Sequence, residues 1–190
     1  MNKEIVLLYY VFFLLAYLVI KSIIFWKKYN VNPASFMKEK NKENMWWHGL
    51  ALTFGTYILF FILFYFGKIG LFFDDRILDI SGFIVLFFGF FIMVLAHAHM
   101  GTSWRMGNDS NTKTKLVDTG LFGHSRNPVY LALIIQSLGV LMIVPHILTL
   151  ILFIAIIVIF NFIVKSEEKF LEKQFGEEYL KYKTRVRRFI

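Results

Sequence analysis

Residues 116–134 read LVDTGLFGHSRNPVYLALI, and the order of their polar and apolar parts decides how the rest of the chain is read. Leu116 and Val117 precede a glycine turn, and Ser125, Arg126 and Asn127 form a dense polar run. Pro128 then opens an apolar stretch at Val129. Proline suits the first position of a helix, where its missing N–H has no intrahelical partner to lose. A polar cluster therefore stands at the mouth of a long apolar helix.

Working outward, the chain is apolar over most of its length. Of 190 residues, 57% are hydrophobic and 23 are phenylalanine, leaving too little polar surface to cover a soluble domain of this size. A helix needs about 20 mostly apolar residues to span a bilayer. Such runs fall at roughly 4–26, 46–67, 77–98, 129–144 and 146–165. Pro145 and His146 alone separate the last two, which predicts a tight helical hairpin. The first run is followed by Lys27-Lys28 and not by a small-residue cleavage site, so it is read as a permanent span. The expectation is an all-α integral membrane protein with about five transmembrane helices. It forms a single membrane domain, 1–190, with three N-terminal spans in 1–98. Residues 99–190 supply a loop, the hairpin and a helical tail that close a pocket.

The net charge of +8 is unevenly spread. Basic residues gather at 27–42, at 105–126 and after 165, whereas the opposite loops carry only Lys3, Lys68 and Arg76. Positive loops stay cytoplasmic, which predicts the N-terminus outside and the C-terminus inside, in the plasma membrane of a prokaryote. Topology and anionic headgroups account for the charge, so membrane lipids are the expected surroundings; no nucleic acid and no obligate protein partner is implied. Cysteine is absent, which excludes disulfides, thiolate chemistry and cysteine metal sites.

With that topology, the 99–128 loop and the tail KSEEKFLEKQFGEEYLKYKTRVRRFI emerge on one face of the membrane. In the tail, Phe170, Leu171 and Phe175 recur at helical spacing and Gly176 is a stop signal. Tyr179 and Tyr182 then share one side of another short helix, which also suits an amphipathic membrane-surface element. The pair Glu167-Glu168 sits where a membrane helix emerges, a place where acidic groups gain nothing from headgroups or the helix dipole. The loop contains no GxGxxG, no GKS/T and no HExxH. His97 and His99 are two residues apart, a poor separation for one helical face, so no metal site is expected and both are candidates for substrate contact.

The string LVDTGLF…SRNPVY, followed by EEKFLEKQFGEEYLKY, resembles the isoprenylcysteine carboxyl methyltransferase family and the phospholipid methyltransferases grouped with it. The family pattern is a leucine-valine pair, a glycine, an aromatic, R-H-P-x-Y, a Glu-Glu pair and F-G-x-E-Y. The resemblance covers the C-terminal half of the chain. It implies a membrane methyltransferase that takes its methyl group from S-adenosylmethionine in a cytoplasmic pocket, while a lipophilic acceptor enters from the bilayer. Carried over by position, the cofactor contacts are Lys115, Leu116, Val117, Phe122, Asn127, Pro128, Tyr130, Glu167 and Glu168. Arg126 holds the family's arginine position and is a catalytic candidate.

Two departures narrow the acceptor. Asn127 stands where the family usually has histidine, and an amide keeps a donor and an acceptor but takes no proton. Ile163, one turn before Glu167 on the same helical face, stands where the carboxyl methyltransferases carry an arginine for the substrate carboxylate. An uncharged lipophilic oxygen, sulfur or nitrogen is therefore expected as acceptor. Asn161, on the Glu168 face, is the polar group expected nearest to it and a second catalytic candidate, or else a helix–helix hydrogen-bonding group. Two other readings stay open. Arg105, Lys113, Lys115 and Arg126 are cations that an NADPH-dependent membrane reductase of the sterol type would use, and a basic tail also suits a non-catalytic membrane adaptor.

Overall fold

The computed structural model describes residues 3–29, 44–66, 74–103 and 115–190. The basic crossing 31–43 and the part of the central loop that carries Arg105 and Lys113 lie outside the described residues. The described residues contain helices and no strand: α1 Lys3–Tyr29, α2 Asn44–Tyr65, α3 Arg76–Met100, α4 Pro128–Ile143, α5 Ile147–Phe175 and α6 Glu177–Arg185. Short 3₁₀ turns occupy Gly101–Ser103 and Gly120–Gly123. Two helices, α3 and α5, are long and apolar enough to cross a membrane, and shorter apolar helices lie at Tyr10–Ile24, Leu52–Tyr65 and Pro128–Ile143.

Helix boundaries follow local chemistry. Asp75 caps α3, its carboxylate accepting from the Leu78 N–H at 2.8 Å. Pro128 occupies the first position of α4. Val144, Pro145 and His146 separate α4 from α5, and the two helices pack against each other. His146 and Thr149 form a reciprocal cap at the start of α5, and the Thr149 hydroxyl also donates to the Val144 carbonyl at 2.6 Å. Gly176, at φ +53°, ends α5 in a left-handed conformation that a side chain would strain, and the chain turns there into α6.

The closest packing is between α3 and α4. A Cβ at Gly139 would stand 2.6 Å from the Leu86 nitrogen and 2.7 Å from the Gly82 carbonyl. Gly82 and Gly89 face α4 in the same way, so bare backbone brings the two helices together. Around this contact Leu86, Met93, Ala132, Ile143, Phe160 and Ile163 form a buried apolar cluster, which α1 and α2 extend through Leu7, Tyr10 and Phe60. Tyr10 donates to the Gln136 Oε1, and Gln136 in turn donates to the Ala132 carbonyl at 3.2 Å, so this buried amide is bonded at both ends.

Twenty-nine residues of α5 run about 43 Å at 1.5 Å per residue, against a hydrocarbon thickness of about 30 Å. The helix thus overruns an apolar layer by about two turns. The expected span ends near 165, and the helix carries on through Glu167 and Glu168 to Phe175 without a break.

Candidate functional site

The overrun of α5, the first turn of α4, the 115–127 segment and α6 meet at one end of the molecule. Leu116, Leu171 and Phe175 pack against buried Tyr179, Tyr182 and Val186, so the amphipathic face of α6 is covered by protein. The Tyr182 hydroxyl donates to the Phe122 carbonyl at 2.7 Å. Burial pushes the Tyr182 phenol well above its ordinary value, which keeps it a donor. Arg185 pairs with Asp118 at 2.7 Å on the surface. The 115–127 segment is therefore pinned to the tail and not only to its own neighbours.

At the centre, the two carboxylates of the Glu pair have different partners. Glu167 Oε1 accepts the Tyr130 hydroxyl at 2.6 Å, and the Tyr130 ring meets Phe160 edge-on at 5.1 Å. Glu168, 3% exposed, lies between two guanidinium groups. Arg126 Nη2 reaches its Oε1 at 2.9 Å, and Arg188 Nη2 reaches its Oε2 at 2.6 Å. Burial raises the Glu168 carboxyl, but hydrogen bonds from Arg188 and Arg126 outweigh it and hold the group below the usual carboxylate range. Arg126 Nη1 also donates to the carbonyls of Lys183, at 3.0 Å, and Val186.

Asn127 precedes α4 without capping it; its Nδ2 donates instead to the Arg188 carbonyl at 3.1 Å. Pro128 is buried at the head of α4, Val117 is half-buried, and Phe122 is buried. Lys115 is exposed, and its carbonyl accepts from Ser103 at 2.9 Å. His99 accepts from the Leu121 N–H at 3.3 Å, and its ring lies where a Cβ on Gly120 would stand, so it seats the 3₁₀ turn on the end of α3. His97 points elsewhere, stacked on Tyr17 of α1 with its Nδ1 3.1 Å from the phenol oxygen. The described residues hold no cluster of metal-ligating groups. Asn161 donates to the Ile157 carbonyl of its own helix at 3.0 Å, and Ile163 is buried in the apolar core at 2% exposure.

The structure thus gathers Tyr130 with Glu167, and Arg126 with Glu168 and Asn127, at one end of the helices. It sets His97 against α1 and keeps the Asn161 amide within α5. Sequence reasoning missed Arg188. The signal was the RVRR run, which reads as headgroup charge until the chain is seen to fold back at Gly176.

Described residues that are helical without strands, with apolar helices of membrane length, have the character of a membrane protein. A family model, phospholipid methyltransferase, matches residues 77–178. The match covers more than half of the chain, from the first turn of α3 to the start of α6, and the chain belongs to that family. Its activity is accordingly methyl transfer in a membrane setting. Comparison with curated proteins finds no match.

Proposed function

We propose that this protein transfers the methyl group of S-adenosylmethionine to an uncharged lipophilic acceptor supplied by the bilayer. Family membership supports methyl transfer. The observation that carries the cofactor is the Tyr130–Glu167 pair: a half-buried carboxylate oriented by a phenol whose ring packs edge-on against Phe160. That donor set fits a ligand with an amine, ribose hydroxyls and a sulfonium. A carboxylate accepts charge-assisted hydrogen bonds from the first two, and aromatic faces favour the third.

S-adenosylmethionine, when bound, supplies a methyl group already activated by its sulfonium. The chain's own residues bind, align and exclude water. Glu167 accepts hydrogen bonds, and Tyr130 fixes its rotamer. Phe122, Leu116 and Val117 supply apolar surface and backbone groups for an adenine ring. Ile163 and Phe160, on the membrane side of Glu167, are buried and apolar and themselves offer no cation to an acidic acceptor. In this reading α4 and α5 form a membrane hairpin within a five-span topology, N-terminus outside and C-terminus cytoplasmic, in a prokaryotic plasma membrane.

An NADPH site draws less support. Arg126, one of the four cations it would use, is committed to Glu168 and to two carbonyls of the tail. The discriminating test is thermal stabilisation of the protein in detergent. S-adenosylhomocysteine should raise the unfolding temperature and NADPH should not. Stabilisation by NADPH alone would overturn the proposal. Incubating membranes with radiolabelled methyl donor then identifies the acceptor as the lipid that becomes labelled.

A further inference from the structure

Residues 186–188 meet the polar run 125–127 largely through their carbonyls. The Arg126 N–H donates to the Arg187 carbonyl at 3.0 Å. The Arg188 carbonyl accepts from the Ser125 hydroxyl at 3.3 Å and from Asn127 Nδ2 at 3.1 Å. These contacts hold the stretch that leads into Pro128 and the first turn of α4. Carbonyl contacts of this kind require the tail to lie still, and one side chain is placed to hold it. Arg188 turns back to Glu168, with Nη2 on Oε2 at 2.6 Å and Nε on Oε1 at 3.2 Å.

Glu168 is next in sequence to Glu167, and Asn127 lies three residues before Tyr130. The Arg188–Glu168 bridge therefore ties the tail to α5 beside Glu167. The carbonyls of Arg187 and Arg188 tie the same tail to the chain just before Tyr130. The loop closes through the Tyr130–Glu167 hydrogen bond. We propose that Arg188 is a positioning residue: through Glu168 it holds the C-terminal segment against residues 125–127, and so sets Tyr130 relative to Glu167. The consequence for ligand binding rests on the function proposed above.

The alternative role for a basic tail, contact with lipid phosphate, fits Arg188 poorly. Its side chain is only 34% exposed, and two of its nitrogens are engaged with a carboxylate that is 4% exposed. Removing the guanidinium leaves Glu168 to Arg126 alone and releases the segment whose carbonyls receive Ser125, the Arg126 N–H and Asn127. Lysine retains the charge but not the fork that spans both carboxylate oxygens, so it should restore the contact only in part.

The test uses the full chain in detergent micelles, with Arg188→Gln, Arg188→Lys and, as a charge-matched control, exposed Lys181→Gln. Amide hydrogen exchange of 125–131 in the ligand-free protein should be about tenfold faster in Arg188→Gln than in wild type, intermediate in Arg188→Lys and unchanged in Lys181→Gln. The dissociation constant for S-adenosylhomocysteine, measured well below the unfolding temperature, should rise about tenfold in Arg188→Gln and less in Arg188→Lys. Wild-type exchange rates in Arg188→Gln overturn the proposal, as does faster exchange with no loss of affinity. If the wild type itself binds no S-adenosylhomocysteine, the methyl-donor reading fails, and the exchange measurement alone decides whether Arg188 positions the segment.

Discussion

The Tyr130 hydroxyl and Glu167 Oε1, 37 residues apart in sequence, stand 2.6 Å apart across α4 and α5. A phenol donating to a carboxylate fixes the carboxylate's direction and leaves it an acceptor for a ligand's charged or hydroxylic donors. Glu167→Gln keeps the shape and removes the charge. It should weaken S-adenosylmethionine binding by about 1.5–3 kcal/mol, the scale of a hydrogen bond to a charged group. Glu172→Gln, on the same helix as Glu167, breaks a half-exposed pair with Lys183 of α6 and should leave binding within a factor of about two, as surface pairs contribute little. Isothermal titration in micelles checks both; equal small effects would remove Glu167 from the site.

Glu168 has the opposite character, because its partners are protein groups. Removing its charge leaves the Arg126 side chain, 8% exposed, without a counter-ion, so Glu168→Gln should cost about 3 kcal/mol of stability. The sign of the pH effect follows from the lowered carboxyl. The group sits below the ordinary value of 4.5 in the fold and returns to it on unfolding. Its contribution is complete above that value and is lost as pH falls through the lower, folded one. The protection of α6 against hydrogen exchange should therefore collapse in acid in the wild type. In Glu168→Gln it should be weaker at neutral pH and less dependent on acid.

The α3–α4 crossing offers a test of the fold independent of the site. A methyl group at Gly139 has nowhere to go, since the nearest atoms are backbone of α3. Gly139→Ala should destabilise by about 1–3 kcal/mol, the usual cost of overpacking. Gly55, exposed on α2 with nothing within 4 Å of its added Cβ, lacks that obstacle. Gly55→Ala should be neutral or stabilising by up to about 1 kcal/mol from helix propensity. Thermal unfolding in one detergent compares the two, and the same sign for both would mean the helices do not meet at Gly139.

What was legible in the sequence was what is local. The C-terminal end of α5 and the start of α6 follow from the spacing of Phe170, Leu171 and Phe175 and from Gly176, because helical period and a left-handed stop act within a few residues. The Glu pair was legible as unusual, but the division of labour between its members was not. Which carboxylate meets Tyr130 and which meets two arginines depends on how α4 and α6 pack on α5. Asn127 shows the same limit. Its amide reads as a group for a ligand, yet its donor goes to the carbonyl of Arg188, a partner 61 residues away that only the return of the tail provides.

Topology is open to a direct measurement, because the chain has no cysteine of its own. Single cysteines replacing Asn2 and Ile190 should react with an impermeant maleimide from opposite sides of sealed cells, as basic-residue asymmetry and an odd number of spans require. Reaction of both from one side would leave the five-span arrangement untenable.

The acceptor is the point at which this chain departs furthest from the carboxyl methyltransferases it resembles. Ile163 and Glu167 are four residues apart on α5, so their side chains lie on one face about 6 Å apart. A substrate group beside Ile163 would sit next to the proposed cofactor end, in an apolar surrounding, since Ile163 is 2% exposed among Phe160, Ile156 and their neighbours. A carboxylate placed there would lose its water without gaining a cation, at a cost of several kcal/mol. The wild type should therefore methylate uncharged lipophilic acceptors and turn over prenylcysteine acids poorly. Ile163→Arg should by itself lower the unfolding temperature, because the new guanidinium enters an apolar site where the nearby carboxylate, Glu167, is already bonded to Tyr130. An acidic acceptor should restore part of that loss and be methylated faster than by the wild type, and an uncharged isostere should do neither. Efficient turnover of the acid by the wild type, with no change on introducing the arginine, would show that acceptor charge is read at another position.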